Sequence, residues 1–194
     1  MKPIHPVSVR IMHWVNAAVT LVMILSGLQI HNADPILPFA IPSWLTLGGW
    51  LGGALLWHFA AMWVLVANGL FYLAFGFFGG RFRRKLWPLS MSALLTDMRD
   101  AIRGRLAHAD LAQYNAVQKF SYVFVIAMLV LTVVSGVALW KPVQFSRLSA
   151  SFGGFDSSRV VHFAAMGGIL VFLLVHVVMS LLVPRSLLAM IRGR

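Results

Sequence analysis

From Val160 to Val183 the chain runs 24 residues with no Lys, Arg, Asp or Glu, and its ionisable side chains there are the imidazoles of His162 and His176. About 20 apolar residues suffice to cross a bilayer as a helix. In hydrocarbon a segment must satisfy its own backbone hydrogen bonds, so a lone stretch of this kind can only be helical. Similar stretches recur along the chain. We read spans at about 9–31, 45–79, 115–140 and 158–183. The fold class is therefore an all-α membrane protein, a four-transmembrane-helix up-down bundle forming one domain. The second stretch is longer than a bilayer needs, so it should tilt or protrude. The first is too long, and too interrupted by His13, for a cleaved signal peptide. Composition agrees: 60% of residues are hydrophobic and 11% charged, against about 25% charged in soluble domains.

The net charge of +11 raises the question of nucleic acid. The placement of the basic residues answers it. Residues 31–46 contain no Lys or Arg, whereas residues 80–119 contain eight. If the chain crosses the membrane four times, 13 of the 16 basic residues fall on one side. The positive-inside rule then places both termini and the 80–119 segment in the cytoplasm. Membrane orientation accounts for the charge without nucleic acid. The run "RFRRK" at 81–85 is a topology signal that can touch anionic headgroups. Within 90–106, "SMSALLTDMRDAIRGRL" spaces Leu94, Leu95, Met98, Ile102 and Leu106 helically, predicting a short amphipathic helix at the inner surface. The proline-rich 31–46 segment should form a compact loop or re-entrant segment at the outer interface.

Seven histidines are present and no Cys. The lack of Cys excludes thiolate-bound iron–sulfur clusters and covalent haem attachment. His5, His31 and His108 lie outside or at the edges of the apolar cores and read as surface or interface residues. His13, His58, His162 and His176 lie within spans. His162 and His176 are 14 residues apart, so on a helix they are about 21 Å apart in depth and about 40° apart in azimuth. They share a face at two depths. Alternating span direction puts His58 and His162 in the outer half, and His13 and His176 in the inner half. Bundles build sites from side chains on facing helices. Two imidazoles across such a core, without Cys or carboxylate nearby, suit the two axial positions of a b-type haem.

Neighbouring residues bear on the same reading. Gly27 follows His13 by 14 residues and Gly69 follows His58 by 11, while Gly136 lies toward the outer end of the third span. Each could give a porphyrin clearance or simply let helices pack closely. Gly167 and Gly168 point away from the His162 face, and packing suits them better. "RIMH" and "RVVH" place Arg10 and Arg159 one turn before His13 and His162. Either arginine could pair with a haem propionate or extend to the headgroups.

The histidine pattern, "RIMHW" in the first span, and "YNAVQK" at 114–119 resemble the bacterial di-haem cytochrome b561 family over nearly the whole chain. That family includes the cytochrome b subunits of formate dehydrogenase and nickel–iron hydrogenase. With "WKPVQF" after the third span, the pattern looks most similar to thiosulfate-reductase-type cytochrome b subunits. The resemblance implies two haem b groups held by His13, His58, His162 and His176. It also implies quinone, ubiquinone or menaquinone, bound near His176 and Asn115, with Gln118 able to join. Helix capping is the alternative for Asn115 and Gln118. The implied setting is the bacterial inner membrane. The implied partner is a periplasmic redox enzyme, typically molybdenum-dependent.

Three functions are weighed. The first is a quinone-linked electron-transfer subunit of an oxidoreductase complex, with no catalytic residue of its own. The second is a stand-alone cytochrome that oxidises a small species such as superoxide at its outer face, where Lys141, Arg147 and Arg159 could attract an anion. The third is a His-based metal or proton transporter. Transport sites usually combine His with carboxylates, and no Asp or Glu lies in any span.

Overall fold

Long runs of Leu, Val, Ala, Met and Phe, unbroken by proline, propagate helix wherever the sequence is apolar enough to leave water. A computed structural model of the chain describes residues 6–103 and 115–193. His5, His108 and Tyr114 lie outside the described residues. The elements are α1 (Val7–Ala33), α2 (Leu51–Phe78), α3 (Arg81–Leu86), α4 (Met91–Ile102), α5 (Ala116–Trp140), α6 (Ser146–Ser151), α7 (Phe155–Leu182) and α8 (Pro184–Arg192), with a 3-10 turn at Ser43–Leu45. No strand occurs among the described residues. Helices α1, α2, α5 and α7 are each long and apolar enough to cross a membrane.

Glycines decide where two of these helices begin. The second span was expected from about residue 45, yet α2 starts at Leu51. Gly48 and Gly49 just before it have φ of 110° and 72°, values that cost a side-chain-bearing residue dearly. A Cβ on Gly48 would also collide with the backbone of Ala54. Before α7, Gly153 and Gly154 have φ of 90° and 97°. The helix then starts at Phe155, a few residues earlier than expected, and its first turn is closed by Ser158 Oγ donating to Gly154 O at 2.7 Å. At its far end α7 stops at Leu182, and Pro184 opens α8 at a position where its missing N–H costs nothing.

Contacts group the described residues into two compact units, 6–75 and 76–193. In the first, Asn68 Nδ2 ties α2 to α1 by donating to Met12 O at 2.9 Å and to Asn16 Oδ1 at 2.7 Å. The loop that follows α1 is held compactly to the end of that helix. Asn32 donates to Ile41 O at 2.8 Å and accepts from Ile41 N at 2.7 Å. His31 Nε2 accepts from Leu37 N at 3.1 Å, and His31 is 5% exposed. This corrects the reading of His31 as a surface residue. The loop that it organises folds back over it.

In the second unit α5 and α7 pack against each other. Their buried positions are small or slender: Thr132, Ser135 and Ala138 on α5, and Ser158, Ala165 and Ile169 on α7. Small residues let helix backbones approach where lipid supplies no hydrophobic drive. A Cβ on Gly168 would lie 3.2 Å from Met128 Sδ, so this glycine serves packing as expected. A Cβ on Gly167 meets no atom within 4 Å, so the packing expected there is not seen. The large apolar side chains of α7, among them Val171, Leu174, Val175 and Leu181, are exposed and suited to lipid.

The basic run 81–85 is not the end of α2 but a separate helix, α3, turned off at Gly80, whose φ is 61°. The expected amphipathic helix is α4. Its Met91, Leu95 and Met98 are exposed one turn apart, a stripe fit for the membrane surface. Asp97 fixes this helix to the next, because its Oδ2 accepts from Ala116 N at 2.7 Å at the start of α5. A carboxylate there also complements the helix dipole. Asp97→Ala should cost about 1 kcal/mol as a lost cap and speed proteolytic cleavage between α4 and α5. Unchanged cleavage would mean that other contacts hold α4.

Candidate functional site

Helix ends give the four intramembrane histidines definite depths. His58 is the eighth residue of α2, and His162 the eighth residue of α7. His13 is the seventh residue of α1, and His176 the seventh from the end of α7. Each depth, measured from the nearest end of the histidine's own helix, is about 9–11 Å at a rise of 1.5 Å per residue. All four side chains are half-buried.

Two of the rings are held by serines. Within the first unit, Ser26 Oγ on α1 lies 2.9 Å from His58 Nδ1. Within the second, Ser135 Oγ on α5 lies 3.1 Å from His162 Nδ1. Both serines are 0% exposed. Each hydroxyl also sits 2.7 Å from the carbonyl four residues back, Val22 O for Ser26 and Leu131 O for Ser135. A carbonyl can only accept, so the single hydroxyl proton goes to it. The serine oxygen must then accept from the ring. Nδ1 therefore carries the proton, and the acceptor lone pair is on Nε2. That is the tautomer in which an imidazole ligates a metal through Nε2.

Gly136, next to Ser135, makes room for this ring. A Cβ there would be 3.1 Å from His162 Cε1 and 3.5 Å from Nδ1. A Cβ on Gly69 would meet nothing within 4 Å. His176 stacks on Phe172, one turn earlier, with centroids 5.6 Å apart and planes 12° apart. His13 meets Trp14 edge-on at 5.2 Å. Among the described residues no three of His, Cys, Asp or Glu gather as ligands for a bare metal ion. A b-type haem asks the protein for only two axial donors, and neutral imidazoles with Nε2 as acceptor fit that demand at His58 and His162.

Arg10 and Arg159 lie near the starts of α1 and α7, one turn before His13 and His162 and half-buried. Asn115 and Gln118 form a reciprocal cap on α5. Asn115 Oδ1 accepts from Gln118 N at 2.7 Å, and Gln118 Oε1 accepts from Asn115 N at 3.1 Å. Capping thus uses both side-chain oxygens, and any further role for these residues falls to their amide NH₂ groups.

Sequence reasoning overlooked Ser26, Ser135, Asn16 and Asn68. A signal for the serines was present: "LSGL" at 25–28 and "VSGV" at 134–137 repeat a Ser-Gly pair late in the first and third spans. Polar Asn16 and Asn68 within apolar spans were equally visible, and such residues seldom lack a partner.

Comparison with known proteins bears on the whole chain. The family model described as prokaryotic cytochrome b561 matches residues 4–193. A protein of Azospira oryzae named "Putative protein-methionine-sulfoxide reductase subunit YedZ1" is 50% identical over 190 residues, covering 98% of this chain and 96% of that protein.

Proposed function

The chain belongs to the prokaryotic cytochrome b561 family, a membrane cytochrome b built for electron transfer, and from that premise we propose that it links quinol to a periplasmic oxidoreductase through two bis-His haem sites. The carrying observation is the matched depth of the histidines. His58 and His162 are both eighth from the start of their helices, and His13 and His176 are both seventh from an end. With alternating span direction these become an outer pair, His58 with His162, and an inner pair, His13 with His176. Bound haem supplies a reversible one-electron couple.

The protein's own residues set the terms. Ser26 and Ser135 orient the outer pair, and Phe172 orients His176 by stacking. Arg10 and Arg159 are the propionate partners, since guanidinium offers two parallel donors to a carboxylate. Quinone binds on the inner side beside His176, with the Asn115 and Gln118 amides donating to its carbonyl oxygens. The basic residues favour cytoplasmic termini, which supports an inner-membrane setting for this process. The partner is a periplasmic enzyme that reduces methionine sulfoxide in proteins, as the name of the Azospira oryzae relative supports. Quinol then gives up two electrons and two protons, and the sulfoxide takes two electrons and two protons to become thioether and water.

The test is a reduced-minus-oxidised spectrum of the purified chain in nanodiscs, followed by addition of a quinol. We expect b-type bands, about two haems per chain and reduction by quinol. A preparation with no haem bands would overturn the haem sites. Haem bands that quinol leaves oxidised would overturn the quinone link.

A further inference from the structure

The serine contacts carry more than orientation. Two helix pairs, α1 with α2 and α5 with α7, repeat one device in separate units. A fully buried serine, placed immediately before a glycine, gives its proton to its own helix and presents its oxygen to Nδ1 of an intramembrane histidine. The glycines are Gly27 and Gly136. Small-residue packing explains why these positions are small, but it does not explain why each carries a hydroxyl. Alanine would pack as well and has the higher helix propensity.

We propose that Ser26 and Ser135 are positioning residues that strengthen His58 and His162 as iron ligands and hold the outer haem at a lower potential than it would otherwise have. This rests on the reading of His58 and His162 as axial ligands of one haem. The argument is electrostatic. A ring that donates Nδ1–H to an oxygen acquires imidazolate character, and its Nε2 becomes a better donor. A better donor favours ferric iron, so the couple moves down. The effect is enlarged by burial, because little solvent competes for the ring N–H at either serine. It acts on both axial ligands, so the two contributions should be similar in sign and size. Neither hydroxyl can turn away cheaply, because its own proton is committed to a carbonyl at 2.7 Å.

The experiment is a spectroelectrochemical titration of the purified chain with Ser26→Ala, Ser135→Ala and the double substitution. Ser26→Thr and Ser135→Thr keep the oxygen. At a fixed ambient potential, each Ala variant should lower the oxidised-to-reduced ratio of one haem about threefold and the double variant about tenfold, a rise of about 59 mV for one electron. The Thr variants should restore the wild-type value, and the second haem should not move. Ala variants with wild-type potentials for both haems would overturn the proposal and reduce the serines to packing residues. Loss of the same single haem in both Ala variants would support it, since alanine fills the site without its oxygen. A wild-type chain that binds no haem would instead overturn the ligand assignment on which the proposal rests.

Discussion

His162→Ala should leave the purified chain with about one haem in place of about two, and His58→Ala should do the same. The two variants should lose the same spectral component. The double variant should be no worse than either single, because both changes remove ligands from one iron and such effects are not additive. His13→Ala and His176→Ala should remove the other component. The measurement is haem extraction combined with low-temperature spectra. If His58→Ala and His162→Ala removed different components, the depth pairing would be wrong even if all four residues were ligands. If either variant retained both haems, that histidine would not be a ligand.

Gly136→Leu should also remove the outer haem, although residue 136 donates to nothing. Its missing Cβ is the reason. Even the first carbon of a side chain would stand 3.1 Å from His162 Cε1, and a leucine would drive the ring off Ser135. Overpacking of this kind costs about 1–3 kcal/mol, enough to displace the ring in preference to the rigid α5–α7 contact. Gly136→Ala should need only a slight shift and retain both haems. The inner haem serves as the internal control for folding. If Gly136→Leu kept both haems at wild-type potentials, the ring would have another place to go, and the tight Gly136–His162 approach would not define the ligand's position.

Much of this protein was legible before any coordinates. The four spans needed only the count of consecutive apolar residues, because hydrocarbon allows a lone segment no other backbone solution. The amphipathic helix α4 followed from the spacing of Leu95 and Met98 among charges. The four candidate ligands were visible because an ionisable group in a span is costly and therefore rarely idle. The family resemblance agreed with the model that matches residues 4–193.

Other features were hidden for identifiable reasons. His31 looked like an edge residue because burial by a returning loop depends on contacts six to ten residues away, such as Leu37 N on its ring and Ile41 on Asn32. Helix α3 was hidden because a run of Arg and Lys carries no apolar period, and the left-handed turn at Gly80 separates it from α2. Asn115 and Gln118 stood between capping and quinone binding. In the fold their oxygens serve the cap, which leaves the NH₂ groups for any ligand.

The division follows the physics of each effect. Sequence alone determined that the chain carries four helices apolar enough to enter the membrane and which imidazoles go with them, because hydrophobicity acts on composition along a line. Only the tertiary structure decided what those imidazoles can do. The break at Gly48 and Gly49 brought α2 to its start at Leu51 and so set the depth of His58. Contacts between residues 32 and 27 positions apart, Ser26 with His58 and Ser135 with His162, fixed the proton on Nδ1. A tautomer is chosen by the atoms that meet the ring, and at His58 and at His162 one of them is a serine oxygen from a different helix.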